Sequence, residues 1–396
     1  VSTVALLESN TTGTGRLFAR AAAELGHQPV LLCADPARYP YAAEDGLHTE
    51  VLDTSDVDAV LAACRRFGDV VGVTSSSEYF IAPAAAVAAS LGLPGPDADA
   101  ITRCRDKETQ RELLASTHVP VPRFAAASTV DDAVKVADDI GFPVVVKPVA
   151  GSGSVGVRLC RDSDEVRDHA AALLAETVNE RGIPVPARLL VEGLAVGPEY
   201  SAEVFSGRVV GVVRKHLGPP PSFVEVGHDF PVAADHVEAC ARDAVEALGL
   251  RFGPAHVELR VTAGGPVVIE VNPRLAGGNI PELVRHACGV DLVTEAVRAV
   301  TGGLPHLDHT RRRHAAIRFL LPPRSGTLER VLGTEEAVAV EGVVDVRVAA
   351  SPGSPVSLRG DFRDRIGHVL ACADSPEAAQ QAADEALGRL TVEVAA

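Results

Sequence analysis

Tryptophan and methionine are absent from this chain of 396 residues, and aromatic residues make up only 4% of it. Its apolar content of 46% is therefore carried largely by alanine, valine and leucine, as in soluble α/β proteins. Basic residues are few: 37 Lys and Arg stand against 53 Asp and Glu, for a net charge of −16. That balance argues against a nucleic-acid partner, because no basic stretch is long enough to track a phosphate backbone. The run Arg311-Arg312-Arg313 reads as a solvated loop. No apolar run reaches the ~18 residues of a membrane span. Residues 1–10 carry no basic leader region. A cytoplasmic protein without a membrane partner is expected. None of the seven cysteines forms a Cys-x-x-Cys pair. Odd in number and scattered, they fit reduced, buried thiols and not disulfides or structural zinc. The length predicts two to four domains.

Residues 3–8 read as a buried strand, 16–25 as a helix and 29–33 as a strand, which is βαβ rhythm. The intervening Gly13-Thr14-Gly15 is a lone Gly-x-Gly without the third glycine of a dinucleotide fingerprint. A tight turn explains it better than an NAD site. A strand over 70–74 ends in Ser75-Ser76-Ser77-Glu78. Glu78 either faces a ligand crevice, as strand ends in such sheets do, or follows a serine that caps the next helix. LGLPGP at 91–96 closes this first region. From about residue 309 the texture turns to short strands and one late helix, a β-rich segment without an evident catalytic set.

Two stretches carry chemistry. In residues 142–160, FPVVVKPVAGSGSVGVRLC, a β-branched strand ends in Lys147-Pro148 and leads to Gly151, Ser152, Gly153, Ser154 and Gly156. A Walker P-loop is absent, since no Gly-Lys-Ser/Thr opens a helix. The pattern suits a mobile hairpin whose backbone N–H groups fold over phosphates. A merely flexible hairpin explains it less well, because a lysine inside VVVKP is partly desolvated and wants an anion nearby. In residues 256–279, two strands flank the turn Ala263-Gly264-Gly265-Pro266. A turn centred on Gly264 puts Glu258 opposite Glu270 on one face, Cβ atoms ~5 Å apart. Paired carboxylates so close require protons or cations. With Asn272 they offer oxygen ligands alone, which suits Mg²⁺ on nucleotide phosphates. Arg274 could meet a phosphoryl group or a carboxylate. Solvated acids on an exposed hairpin are the plainer alternative, poorly matched to a Glu within VVIEV.

Between these stretches, Glu192 and Glu199 stand at strand ends, and the Pro-rich segment 218–232 holds Glu225 and His228. Loops of that length in compact enzymes are usually functional, although His228 by itself fits a structural histidine equally well.

Taken in order, Lys107, Lys147 with its glycine loop, Val-Glu-Gly at Glu192, Gly-Pro-Glu at Glu199, and Glu258, Glu270, Asn272 and Arg274 resemble the ATP-grasp superfamily. Glu-Val-Asn-Pro-Arg looks like its biotin-carboxylase-type branch. FVEVGH at 223–228, HVEL at 256–259 and RLAGGN at 274–279 are most similar to bacilysin-type L-amino-acid ligases. The resemblance implies an α/β and α+β chain in three parts. These are a Rossmann-like domain (1–104), an ATP-grasp domain (105–308) with a mobile lid at about 140–198, and a C-terminal α+β subdomain (309–396). It implies an ATP-dependent carboxylate–amine ligase of secondary metabolism that works through an acyl phosphate. Lys107, Lys147 and the loop from Gly151 to Ser154 would hold the phosphates, Glu192 the adenine and Glu199 the ribose. Glu258, Glu270 and Asn272 would hold two Mg²⁺, with Mn²⁺ as a substitute. Glu225 would receive a substrate ammonium, and His228, Arg274 and Gly277 would face its carboxyl. Glu225 and His228 are both candidates for the base. Gly278 stands where a bulky side chain would shrink the acceptor pocket, which suggests a roomier site. The partners are a small carboxylate and an amine, and a homodimer is an assembly to test. A carboxylase of the aminoimidazole-ribonucleotide type and a non-catalytic nucleotide-binding protein are the alternatives.

Overall fold

The computed structural model describes residues 1–10, 14–151, 153–179 and 182–395. Gly13 and Ser152 lie outside the described residues. The N-terminal region builds a parallel sheet in the order His48–Val51, Gln28–Cys33, Thr3–Leu7, Val70–Thr74. Every residue of Thr3–Leu7 is buried, as expected of a strand covered on both faces. Gly15, at the start of helix Thr14–Glu24, lies so close to Ser9 that a Cβ would sit 1.6 Å from the serine Oγ. That crowding is a packing reason for the glycine, in line with the tight-turn reading.

A second, antiparallel sheet runs Phe124–Ala127, Leu189–Gly193, Val144–Pro148, Arg158–Cys160. Helices Val130–Ile140 and Ser163–Ala175 pack on it around a hydrophobic cluster of its own, which includes Val144, Val146, Val166 and Leu189. This sheet and its helices thus have a core of their own, apart from that of the central sheet.

The central sheet has eight strands, ordered Gly265–Asn272, Pro254–Thr262, Glu199–Phe205, Arg208–Leu217, Glu225–Phe230, His314–Leu320, Gly367–Ala373, Val343–Val348. All its pairings are antiparallel. Three strands of the C-terminal region thus extend the sheet that carries the candidate site. They join through the pairing of His314–Leu320 with Glu225–Phe230. Ser206 and Gly207, both at positive φ, form the two-residue turn between Glu199–Phe205 and Arg208–Leu217.

Helix Pro376–Arg389 is fastened to this sheet by Asp229. The Asp229 carboxylate accepts from His216 Nε2 (2.6 Å), Arg318 Nη1 (2.8 Å) and Gln380 Nε2 (3.1 Å). Burial alone would raise its pKa, but His216 and Arg318 hold it below the ordinary 3.8. A depressed carboxylate stabilises the fold fully above its unfolded pKa, and that contribution fades as pH falls through the folded value. Asp229→Asn is expected to lose about 2 kcal/mol in urea melts at pH 7. The gap from the parent should narrow below about pH 4. A gap that stays constant across that range would contradict the assignment.

Candidate active site

The late hairpin brings its two acids together by a route that differs from the expected one. The turn is only Ala263-Gly264, and pairing runs Thr262 with Gly265, Arg260 with Val267 and Leu259 with Val268. Continued regularly, that register would set Glu258 against Ile269. A bulge between Glu258 and Leu259 instead leaves Ile269 unpaired and puts Glu270 opposite Glu258. The expected facing of the acids is therefore present, but the bulge produces it and not the symmetry of the turn.

Both acids line a cleft of roughly 880 Å³, open mouth included, between the lid sheet and the central sheet. Glu258 Oε2 lies 3.1 Å from Lys215 Nζ, and Glu270 Oε1 lies 3.0 Å from Lys107 Nζ. Lys107 also donates to the carbonyl of Gly151 at 2.7 Å, so it spans the metal-type acid and the glycine loop. Lys147, Gly151, Gly153, Ser154, Asn272 and Arg274 line the same cleft. The donors Glu258, Glu270 and Asn272 fit a hard cation by type. Among the described residues no group of three or more His, Cys, Asp or Glu is arranged to hold a metal. Such a set needs further oxygens, and Mg²⁺ commonly takes these from water and phosphate.

Two buried polar webs stiffen the cleft. Glu192 pairs with Lys147 and, at 2.6 Å, with Arg111 Nε, whose side chain is completely buried. Burial pushes the Lys147 ammonium down, with Glu192 opposing; burial likewise disfavours ionised Glu192, but Arg111 and Lys147 hold its pKa below the usual range. In the second web, Glu258 Oε1 meets His256 Nε2 at 3.0 Å while His256 Nδ1 meets Glu203 at 2.7 Å. Burial would neutralise the imidazole, but Glu203 and Glu258 raise its pKa to about 9, which makes it a cation at neutral pH.

At the other end of the cleft, the two oxygens of Glu225 are taken up by Lys215 Nζ (2.6 Å) and Arg365 Nη2 (2.5 Å). Lys215 also reaches Glu199 at 3.2 Å, and Glu199 bonds Arg260 Nε at 3.0 Å. Burial opposes charge on Lys215, yet Glu225, Glu258 and Glu199 keep it firmly protonated; Lys215 and Arg365 in turn hold Glu225 well below the usual carboxylate range. His228 is fully buried, its Nε2 3.5 Å from Glu225 and its ring edge-on to Phe319. Among the described residues, neither ring nitrogen has a hydrogen-bond partner. His228, Gly277 and Gly278 are not among the cleft-lining residues, and His228 sits one layer behind Glu225. A Cβ on Gly277 would point into open space. One on Gly278, at φ +58°, would lie 2.6 Å from His228 Nε2. A side chain at 278 would thus first meet the histidine. Arg274 Nε bonds Glu78 at 2.9 Å, and both line a smaller adjoining cleft that reaches the N-terminal region. Glu78 so takes the crevice-facing role, and helix Ile81–Ser90 starts without a side-chain cap.

Lys215, Arg111 and Arg365 had no place in the sequence reading, and His256 entered it only as part of the motif HVEL. For Lys215 a signal existed: alternation puts it on the same face as Val213, which is buried.

Two family models match the chain, an ATP-grasp domain over residues 140–282 and an L-amino acid ligase C-terminal domain 2 over residues 318–395. The uncharacterized protein y4rH of Sinorhizobium fredii is 41% identical over 386 residues, which span 94% of this chain and 79% of that protein. Dapdiamide A synthase of Enterobacter agglomerans is 25% identical over 296 residues, 70% of this chain and 69% of that enzyme. In fold, the crystal structure of an L-amino acid ligase from Bacillus licheniformis matches with a TM-score of 0.82 at 22% identity, over 100% of this chain and 99% of that one.

Proposed function

The chain belongs to the ATP-grasp carboxylate–amine ligase family, and from that premise we propose that it joins an α-amino acid, through its carboxylate, to an amine, forming an amide or dipeptide. The observation that carries this reading is the placing of Glu258 and Glu270 opposite each other in a cleft that also holds Lys107, Lys147 and Arg274. The acid's oxygen attacks the γ-phosphorus of ATP, the bond to the β–γ bridging oxygen breaks, and ADP leaves. The amine's lone pair then attacks the acyl carbon, phosphate departs with the C–O pair, and the nitrogen sheds a proton.

Lys107, Lys147, Arg274 and the N–H groups of the glycine loop spread the charge of the transferring phosphoryl group. Glu192 and Glu199 bracket the nucleoside. Glu258, Glu270 and Asn272 would hold Mg²⁺, two ions or Mn²⁺ in their place, which when bound neutralises phosphate charge. Glu225 takes the substrate ammonium and Arg274 faces its carboxyl end, while His228 and Gly277, expected beside Arg274, stand behind the cleft's lining. Of the two groups weighed as proton acceptor, Glu225 is held ionised by two cations and is a poor base. His228, kept neutral by burial against the pull of Glu225, is the better one by charge, and from behind Glu225 it would take the proton only through that carboxylate. The acyl phosphate hydrolyses in water, which is the chemical reason for a lid.

Purified protein with MgATP and the twenty L-amino acids in pairs is expected to release ADP and phosphate, never AMP. Mass spectrometry of the products should show the amide. Release driven by bicarbonate without an amine would select a carboxylase instead.

A further inference from the structure

Residues 359–365 form a compact strap between two strands of the C-terminal region, and it touches both the glycine loop and Glu225. The strap is closed on itself by its own acids. Asp364 accepts from the backbone N–H of Arg359 and of Gly360, each at 2.8 Å. Asp361 caps the 3-10 turn Phe362–Asp364, accepting from Arg363 N at 2.9 Å and Arg363 Nε at 2.8 Å. Both acids are buried, and Ile366 N, donating to Leu320 O at 2.9 Å, fixes the strap's end to the central sheet. Phe362 and Arg365 therefore keep a fixed offset from each other.

Each of these two side chains touches a different functional segment. Phe362 N donates to the carbonyl of Gly153 in the glycine loop at 3.2 Å. The Phe362 ring occupies the space a side chain there would need, since a Cβ on Gly153 would fall 2.4 Å from Cδ1. Arg365 lies with its guanidinium carbon 4.2 Å from the centre of the Phe319 ring and pairs with Glu225. Among the described residues its Nε is buried without a partner, as are both nitrogens of the adjacent His228. Gly278 leaves this corner free of a side chain, 3.3 Å from Arg365 Nη1 by its Cβ direction.

We infer that the strap couples the substrate pocket to the glycine loop, with Arg365 as the residue that positions Glu225 and Phe362 as the contact that transmits its state. The inference rests on the reading of Glu225 as the carboxylate that meets a substrate ammonium. A ligand shifts such an equilibrium only through a difference in its interaction with the two states. Here the difference is concrete. Glu225 has both oxygens engaged, one by Lys215 and one by Arg365. An arriving ammonium competes with Arg365 for the second oxygen. The released guanidinium then gives up the ion pair that held the strap against Glu225. Because the strap is rigid, movement at Arg365 is felt at Phe362 and so at Gly153.

The test uses the full chain and three variants, Arg365→Gln, Arg365→Lys and Phe362→Ala, each first matched to the parent in thermal midpoint. Hydrogen exchange of the amides of residues 153–157 is measured with MgADP alone. Arg365→Gln and Phe362→Ala are expected to speed exchange roughly tenfold, and Arg365→Lys to restore most of the protection. In phosphate release, Arg365→Gln should raise KM for the amino acid roughly tenfold to a hundredfold, with KM for ATP unchanged. Unchanged exchange in both Arg365→Gln and Phe362→Ala would overturn the coupling. A parent that releases no phosphate with any pair of amino acids would instead count against the ligase reading, and the exchange result would still decide the strap.

Discussion

Glu270→Ala is expected to leave a folded protein whose phosphate release falls by a factor on the order of 10³ or more. The acid sits at the mouth of a strand whose neighbours are apolar, and its nearest cation is Lys107 at 3.0 Å. Removing it takes away one of two facing oxygen donors and frees Lys107 to collapse onto the remaining charges. The loss should appear in kcat and not in folding, because Glu270 keeps some solvent contact, with 19% of its side chain exposed. Steady-state phosphate release and a thermal melt on the same sample check both halves. A rate within a few-fold of the parent would remove Glu270 from the metal set.

The second large effect is expected at Lys215, whose side chain is 2% exposed and contacts Glu199, Glu225 and Glu258. Lys215→Met keeps the length of the stem but strands three carboxylates around an apolar tip. Breaking buried pairs in this way costs ~3–5 kcal/mol, because the surviving charges stay desolvated. A divalent cation that binds the native acids should recover part of that loss. The Tm of Lys215→Met should therefore rise more on adding MgCl₂ than the parent's does, since its acids lack their internal counter-charge. Equal shifts in the two proteins would mean that Glu258 does not meet the ion, and the donor set would then need to be redrawn.

Much of the scaffold could be read from the chain because it is written locally. The strand over 70–74, the Ser206-Gly207 turn and the hairpin around Glu258 and Glu270 follow from alternation and turn chemistry over a few residues. The helices Val130–Ile140 and Ser163–Ala175 escaped notice because the glycine loop between them drew the reading. Partner choice between distant strands was out of reach. Nothing in AAIRFLL says that it will pair with Glu225–Phe230 and lengthen the central sheet. Lys215 looks solvated within VVRKH. Alternation with Val213 hints at its burial, but the carboxylates that meet it come from three other strands, and local periodicity does not name them. Arg365, inside the charged run FRDR, misleads in the same way. Arg111 lies on the polar-looking helix Lys107–Ser116, and the groups that meet its buried guanidinium, Glu192 and the carbonyl of Ile269, lie far off in the chain.

The bulge in the late hairpin has a consequence beyond the facing of its acids. Ile269, left without a cross-strand mate, presents its carbonyl outward, and Arg111 donates Nη2 to it while Nε holds Glu192. The surplus residue is thus a spare acceptor that, through Arg111, moors the sheet bearing Glu192 to the strand bearing Glu270. Excising Ile269 would straighten the ladder and keep the two acids face to face, yet it would cast off that mooring. A tidier hairpin would then carry the same donors beside a Glu192 sheet that has lost its anchor.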